Sequence, residues 1–218
     1  RFEVETCARC HARRGLLTEE YRPGRLLAET HRPALLDEGL YYADGQMRDE
    51  VYNWGSFLQS RMYAKGVTCS DCHDPHDLKV KVSPNDVCSS CHQPERFATR
   101  RHHFHREKGR GASCVACHMR TETYMVVDAR HDHSFRAPRP DLTVALGREN
   151  APNACNDCHR DRSAEWAARA LRRWYPGGQQ EGPHWAPALQ AGRSFRPAAE
   201  GALLEVVRDA KAPGIVRG

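Results

Sequence analysis

The chain has 218 residues, 39% of them hydrophobic and 8% aromatic, and its 33 Lys and Arg against 28 Asp and Glu leave a formal charge of +5. So modest a charge gives no footprint for nucleic acid, and no stretch approaches the roughly 18 consecutive apolar residues of a membrane-spanning helix. With 13 prolines and 16 glycines spread along it, the composition predicts a mainly α chain with much irregular coil and little or no sheet.

In chain order, all ten cysteines fall in five C-x-x-C-H motifs: Cys7, Cys10 and His11; Cys69, Cys72 and His73; Cys88, Cys91 and His92; Cys114, Cys117 and His118; Cys155, Cys158 and His159. A C-x-x-C pair serves a zinc half-site, a dithiol couple or covalent haem. Zinc ribbons take such pairs two at a time, so five would strand one, and nothing in a Cys₄ site requires the trailing histidine. At this histidine content, five trailing histidines arise by chance about once in a million. The spacing instead suits two sulfurs bonding one porphyrin, with the next imidazole beneath its iron. Five covalently attached haem c groups are expected, at roughly 44 residues each, so that the polypeptide wraps a haem stack.

Between the first two motifs, "DEVYNWGSFLQSRMYAKG" places Val51, Trp54, Leu58 and Met62 at helical spacing and predicts one helix ending at Gly66, its aromatics packing on haem. Only 14 residues separate His73 from Cys88, which brings the second and third sites close. After the fifth motif, "DRSAEWAARALRRWYPGG" predicts a helix with Ser163 as N-cap and a stop at Pro176-Gly177-Gly178. A haem module over residues 1–175, a linker over 176–187 and the start of a helical repeat-like segment over 188–218 are expected. That last segment should form a C-terminal helical hairpin, with Pro197 in a first turn and Pro213 opening another helix.

Eight histidines lie outside the motifs, enough to fill the second axial position of every iron. His31, His76, His102, His103, His105 and His133 are the distal candidates. His76 lies three residues beyond His73 behind Pro75, too near to cap its own haem. His102 and His105 share a helical face that His103 does not. His133 is preferred to His131, and His184 reads as a bystander in a Gly/Pro-rich linker. Met47, Met62, Met119 and Met125 read as packing residues.

The runs "GVTCSDCHDPH", "HHFH", "SCVACHM", "TYMVVD", "HDHSF", "PRPDL" and "NACNDCH" resemble multihaem c-type cytochromes with tetratricopeptide or HEAT-like repeats, relatives of the cytochrome c554 and cytochrome c nitrite reductase group. The resemblance covers residues 1 to about 175. It implies His76, the "HHFH" histidines and His133 as distal ligands, and helical repeats after residue 190. The nitrite reductases of that group usually mark an open haem with C-x-x-C-K, which does not occur here.

The expected function is therefore electron transfer along closely spaced bis-histidine haems, without enzymatic activity. The alternative is a nitrite- or hydroxylamine-type reductase with one open haem. Haem is attached to thiols outside the cytoplasm, so a periplasmic or extracellular location is expected, with a processed or trimmed N-terminus. Redox proteins or further copies of the chain, in an oligomer, a filament or a larger complex, are the expected partners.

Overall fold

The computed structural model describes residues 2–77, 79–178 and 182–218. It begins with α1 (Phe2–His11), followed by the short antiparallel pair β1 (Arg14–Leu16) and β2 (His31–Pro33). The predicted helix at 49–66 is instead two single turns, α2 (Trp54–Phe57) and α3 (Arg61–Ala64). Residues 51–53 are held in a bridge to the end of α1, with Arg13 N donating to Val51 O and Asn53 N to His11 O, so helix starts only at Trp54. At the other end Ser60 is extended, and its hydroxyl caps α3 by accepting from Tyr63 N at 3.0 Å. Local capping overrides the apolar periodicity.

Next come α4 (Pro84–Ser89), α5 (Pro94–Phe97), α6 (Arg100–His103) and α7 (Cys114–His118), all of one or two turns. A second hairpin, β3 (Thr121–Tyr124) with β4 (Asp128–His131), leads to α8 (Pro140–Leu146) and α9 (Ala154–Cys158). The predicted capped helix is α10 (Ala164–Trp174), where the Ser163 hydroxyl accepts from Trp166 N at 3.3 Å. Then follow α11 (Ala186–Arg193), α12 (Ala199–Arg208) and α13 (Gly214–Arg217). The expected helical hairpin is the packed pair α11 and α12. Helix α11 starts inside the expected linker, whose residues 179–181 lie outside the described residues. Pro197 precedes α12, and Pro213 is the N-cap of α13.

The main core gathers Leu36, Tyr41, Met47, Val51, Tyr124, Ile215 and Val216, with Trp54, Trp185 and Leu189 against it. Each fully buried side chain of this size contributes about 1.5–3 kcal/mol. Trp54 also packs on Ala8, Ala12 and Leu27, so it joins two protein clusters. From α11, Arg193 reaches into the core and donates to Tyr41 O at 3.1 Å and Leu36 O at 2.6 Å. Two small sheets and short helices joined by coil make up the mainly α architecture expected from the sequence.

Candidate functional site

Each motif lies on, or runs off the end of, a helical or 3₁₀ turn. In three of them the histidine N–H donates to the carbonyl of the first cysteine: His73 to Cys69 at 2.9 Å, His92 to Cys88 at 2.9 Å and His159 to Cys155 at 2.8 Å. That bond brings both thiols and the imidazole onto one turn, as attachment to a single porphyrin demands. No disulfide joins any of the ten cysteines.

Side-chain hydrogen bonds join successive motifs. Glu3 on α1 accepts from Ser70 N at 2.7 Å and Ser70 Oγ at 2.8 Å, tying the first motif to the second. Asn85 on α4 accepts from Cys114 N at 3.0 Å and donates to Ala112 O at 3.1 Å, tying the third to the fourth. Helix α7 packs on α9, and Arg120 pairs with Asp157 at 2.7 Å, tying the fourth to the fifth. The second and third motifs are near enough for Cys91 to raise the Cys72 pKa, after burial and Asp71. The motifs therefore neighbour one another in sequence order.

Three motif imidazoles face an imidazole from elsewhere in the chain. His73 lies 6.3 Å from His133 between ring centroids, His118 6.0 Å from His102, and His159 6.1 Å from His105. Two metal–nitrogen bonds of about 2 Å each, plus the ring radii, span about 6 Å between centroids. In four of these six rings Nδ1 is already engaged: His118 with Arg136 O at 3.0 Å, His133 with His131 O at 2.9 Å, His105 with His103 O, and His102 with the Tyr175 hydroxyl at 3.0 Å. Engagement at Nδ1 reserves Nε2 for a metal. Burial is the leading cause lowering the pKa of His73, His102, His118 and His133, which favours the neutral, ligating form.

His131 is turned away, its Nδ1 near Met119 O at 2.9 Å and Thr121 Oγ1 at 3.1 Å. Helix α6 stops at Phe104, which is left-handed with φ of 56°, so His105 leaves the helical face it was expected to share with His102. His102 and His105 still meet different motifs. His103 lies tilted against His105 at 6.5 Å. His31 is buried, with Nδ1 2.8 Å from Thr30 Oγ1, and His76 is exposed. Among the described residues, His11, His31, His76 and His92 face no second imidazole in this way; His92 meets the Phe97 ring edge-on at 5.5 Å. Phe135 stands edge-on to His133 at 5.7 Å.

Sequence reasoning missed the polar node that holds His118 and His133. Asp44 and Asp132 are buried, and Arg136 donates to Asp44 O at 2.7 Å, to Ser134 Oγ at 2.7 Å and to Gln59 Oε1 at 3.2 Å. Asp132 accepts from Met47 N at 2.9 Å and from Ser134 N at 2.7 Å. Burial raises the Asp44 carboxyl pKa while the Arg136 guanidinium opposes it. The node positions the Arg136 carbonyl that receives His118 and fixes the strand end that carries His133. The signal available was the pair of short polar runs "ADGQ" and "DHSFR", whose partners are distant in sequence.

The donor set fits haem better than its rivals. A zinc ribbon needs four converging ligands, whereas the one cluster of candidate metal ligands among the described residues is Glu3, Cys7 and Cys69. A dithiol couple needs a depressed thiol pKa within one C-x-x-C pair; Cys114 is lowered to about 7, but by a hydrogen bond with Cys88 of another motif, while burial raises its own partner Cys117 and also pushes Cys69 up to about 12 and Cys155 up to about 11.

No family model and no curated protein matches the chain. Among solved structures it is similar to the outer cell wall cytochrome OcwA, with 15% identity and a TM-score of 0.56 over 95% of this chain and 58% of that one. The chain thus spans little more than half the length of that cytochrome. At this identity the likeness speaks for the fold: the chain has a cytochrome-like architecture of short helices and irregular coil.

Proposed function

We propose that the chain is a five-haem c-type cytochrome module that transfers electrons outside the cytoplasm. The ten motif cysteines hold the porphyrins, and His11, His73, His92, His118 and His159 are the proximal ligands. His133, His102 and His105 are the distal ligands opposite His73, His118 and His159. His31, His76 and His103 remain the candidates for the irons at His11 and His92. Haem supplies a one-electron iron couple whose potential follows ligation, burial and nearby charge.

The chain's own residues hold the imidazoles neutral and oriented, and Glu3, Asn85 and Arg120 keep consecutive attachment sites adjacent. Residues 1–175 form the haem module, a linker follows as far as the start of α11 at Ala186, and the rest is a helical repeat-like segment docked through Ile215 and Val216 on the core. The partners are redox proteins or further copies of the chain, and the location is periplasmic or extracellular, where thiols are joined to haem.

One observation carries the reading: three motif imidazoles each face a second imidazole, drawn from a distant part of the chain, at the separation an iron between them requires. The test is the mass of the denatured protein, expected to exceed the bare polypeptide by five haems; the bare mass would refute it. Paramagnetic resonance should show low-spin ferric irons at the three paired sites. A second reading, a nitrite- or hydroxylamine-type reductase, is favoured by the lack of a facing imidazole at His11 and His92 among the described residues. A high-spin ferric signal of about one iron per chain, with turnover of either substrate, would select it.

A further inference from the structure

We propose that Tyr175 is a positioning residue for the His102–His118 pair, fixing the tautomer of His102 and holding down the reduction potential of the iron bound between them. This rests on the haem reading above.

The inference begins with α10. Its Ser163 cap sets the helix start, and eleven residues later the helix delivers Trp174 and Tyr175 to the "HHFH" segment. Trp174 stacks on Phe104, with centroids 4.6 Å apart and planes 3° from parallel, and meets His105 edge-on at 6.0 Å. Tyr175, the first residue past the helix, then stands edge-on to His102 at 6.2 Å. Its hydroxyl lies 3.0 Å from His102 Nδ1 and also donates to His102 O.

A phenol has one hydrogen to give. With that hydrogen on the His102 carbonyl, the oxygen can only accept from Nδ1–H, which leaves the lone pair of His102 on Nε2, the atom an iron requires. In His118, His133 and His105 the corresponding partner is a backbone carbonyl. Among the Nδ1-engaged rings of the three pairs, His102 alone depends on a side chain for this role, so a single substitution can remove the hydrogen bond while the backbone stays in place. An acceptor at Nδ1–H makes the imidazole a stronger donor to its metal and favours the ferric state.

The experiment is a redox titration of the haem-loaded protein and of Tyr175→Phe, with paramagnetic resonance on both. The expected result is an unchanged haem count, a rise in one potential and altered g-values for one low-spin centre. A full set of haems with every potential and g-value unchanged would overturn the inference while leaving the cytochrome reading intact. A wild-type chain without haem would instead overturn the cytochrome reading. If Tyr175→Phe fails to accumulate with haem, 3-fluorotyrosine at position 175 decides: the ring is kept and the oxygen is a weaker acceptor, so a smaller rise in the same single potential is expected, and no shift would refute the role.

Discussion

Residues 41–60 and residues 61–123 are built on opposite plans. In the first stretch Tyr41, Ala43, Asp44, Gln46, Met47, Val51, Ser56 and Phe57 are all buried; Gln46 donates to the Asp44 carboxylate and to Pro152 O, and Arg136 donates to Asp44 O. In the second, which carries three of the five motifs, no described residue is buried. The first stretch draws its folding energy from side chains packed on one another. The second has short helices and specific hydrogen bonds but little apolar burial of its own, so on the proposed reading its stability comes from the haems attached there.

The largest expected effect breaks this comparison directly. A chain made where no haem is attached should lose order over 61–123 while the core around Tyr41 and Met47 keeps its protection. Limited proteolysis with mass mapping should find the first cuts between Arg61 and Thr123. Equal cutting in both stretches would show that the packed stretch also depends on the cofactor.

The next effect tests the packed stretch alone. Gly45 has φ of 88°, and a Cβ there would come within 2.1 Å of Gln59 Oε1, which itself accepts from Arg136. Gly45→Ala combines left-handed strain with displacement of a buried amide and should cost about 2–4 kcal/mol in denaturant unfolding. A loss below about 1 kcal/mol would mean that the node is looser than its hydrogen bonds indicate.

Short-range features were legible in the sequence and long-range packing was not. The motif turns and the α10 cap could be read locally, because C-x-x-C-H spacing and Ser163 act within one turn, and His102, His105 and His133, singled out in the sequence, do face motif imidazoles. The late start at Trp54 and the break at Leu58 to Ser60 could not, since the first depends on a bridge from Tyr52 to Ala12 and the second on Gln59 reaching Gly45 and Gly55. Nor could the pairing of each facing histidine with its motif: His133 meets His73 at a separation of sixty positions, and no periodicity encodes that. His184, read as a bystander, packs 4.0 Å from the Trp185 ring and accepts from Ala186 N at 3.0 Å.

That histidine gives a pH-dependent effect of intermediate size. Burial, then Arg136 and Arg139, lower the His184 pKa to about 3 from the usual 6.5. The unfolded chain binds the proton more readily, so stability is unaffected above about pH 6.5 and falls as the pH drops toward 3. At pH 5 the penalty is about 2 kcal/mol. His184→Gln, which keeps an acceptor for Ala186 N, should flatten the unfolding free energy between pH 6 and pH 4. Parallel acid profiles for the two proteins would refute the assignment.

The smallest expected effect asks to which stretch the β3–β4 hairpin belongs, since Tyr124 is in the core cluster while His118 and His133 flank the hairpin. Its turn carries Met125 at φ of 47° and Val126 at φ of 70°, and Val126 is 92% exposed. A β-branched residue in the left-handed region is strained, and two-residue turns with positive φ prefer Asn-Gly. Replacing Met125 and Val126 by Asn and Gly removes that strain with little loss of packing and should stabilise the hairpin by about 1 kcal/mol. If the hairpin unfolds together with the Tyr41 core, the gain will appear in the global transition monitored by tryptophan fluorescence. If it moves with residues 61–123, the gain will appear only as slower amide exchange at Thr121–His131, and the boundary between the two stretches will lie at Tyr124.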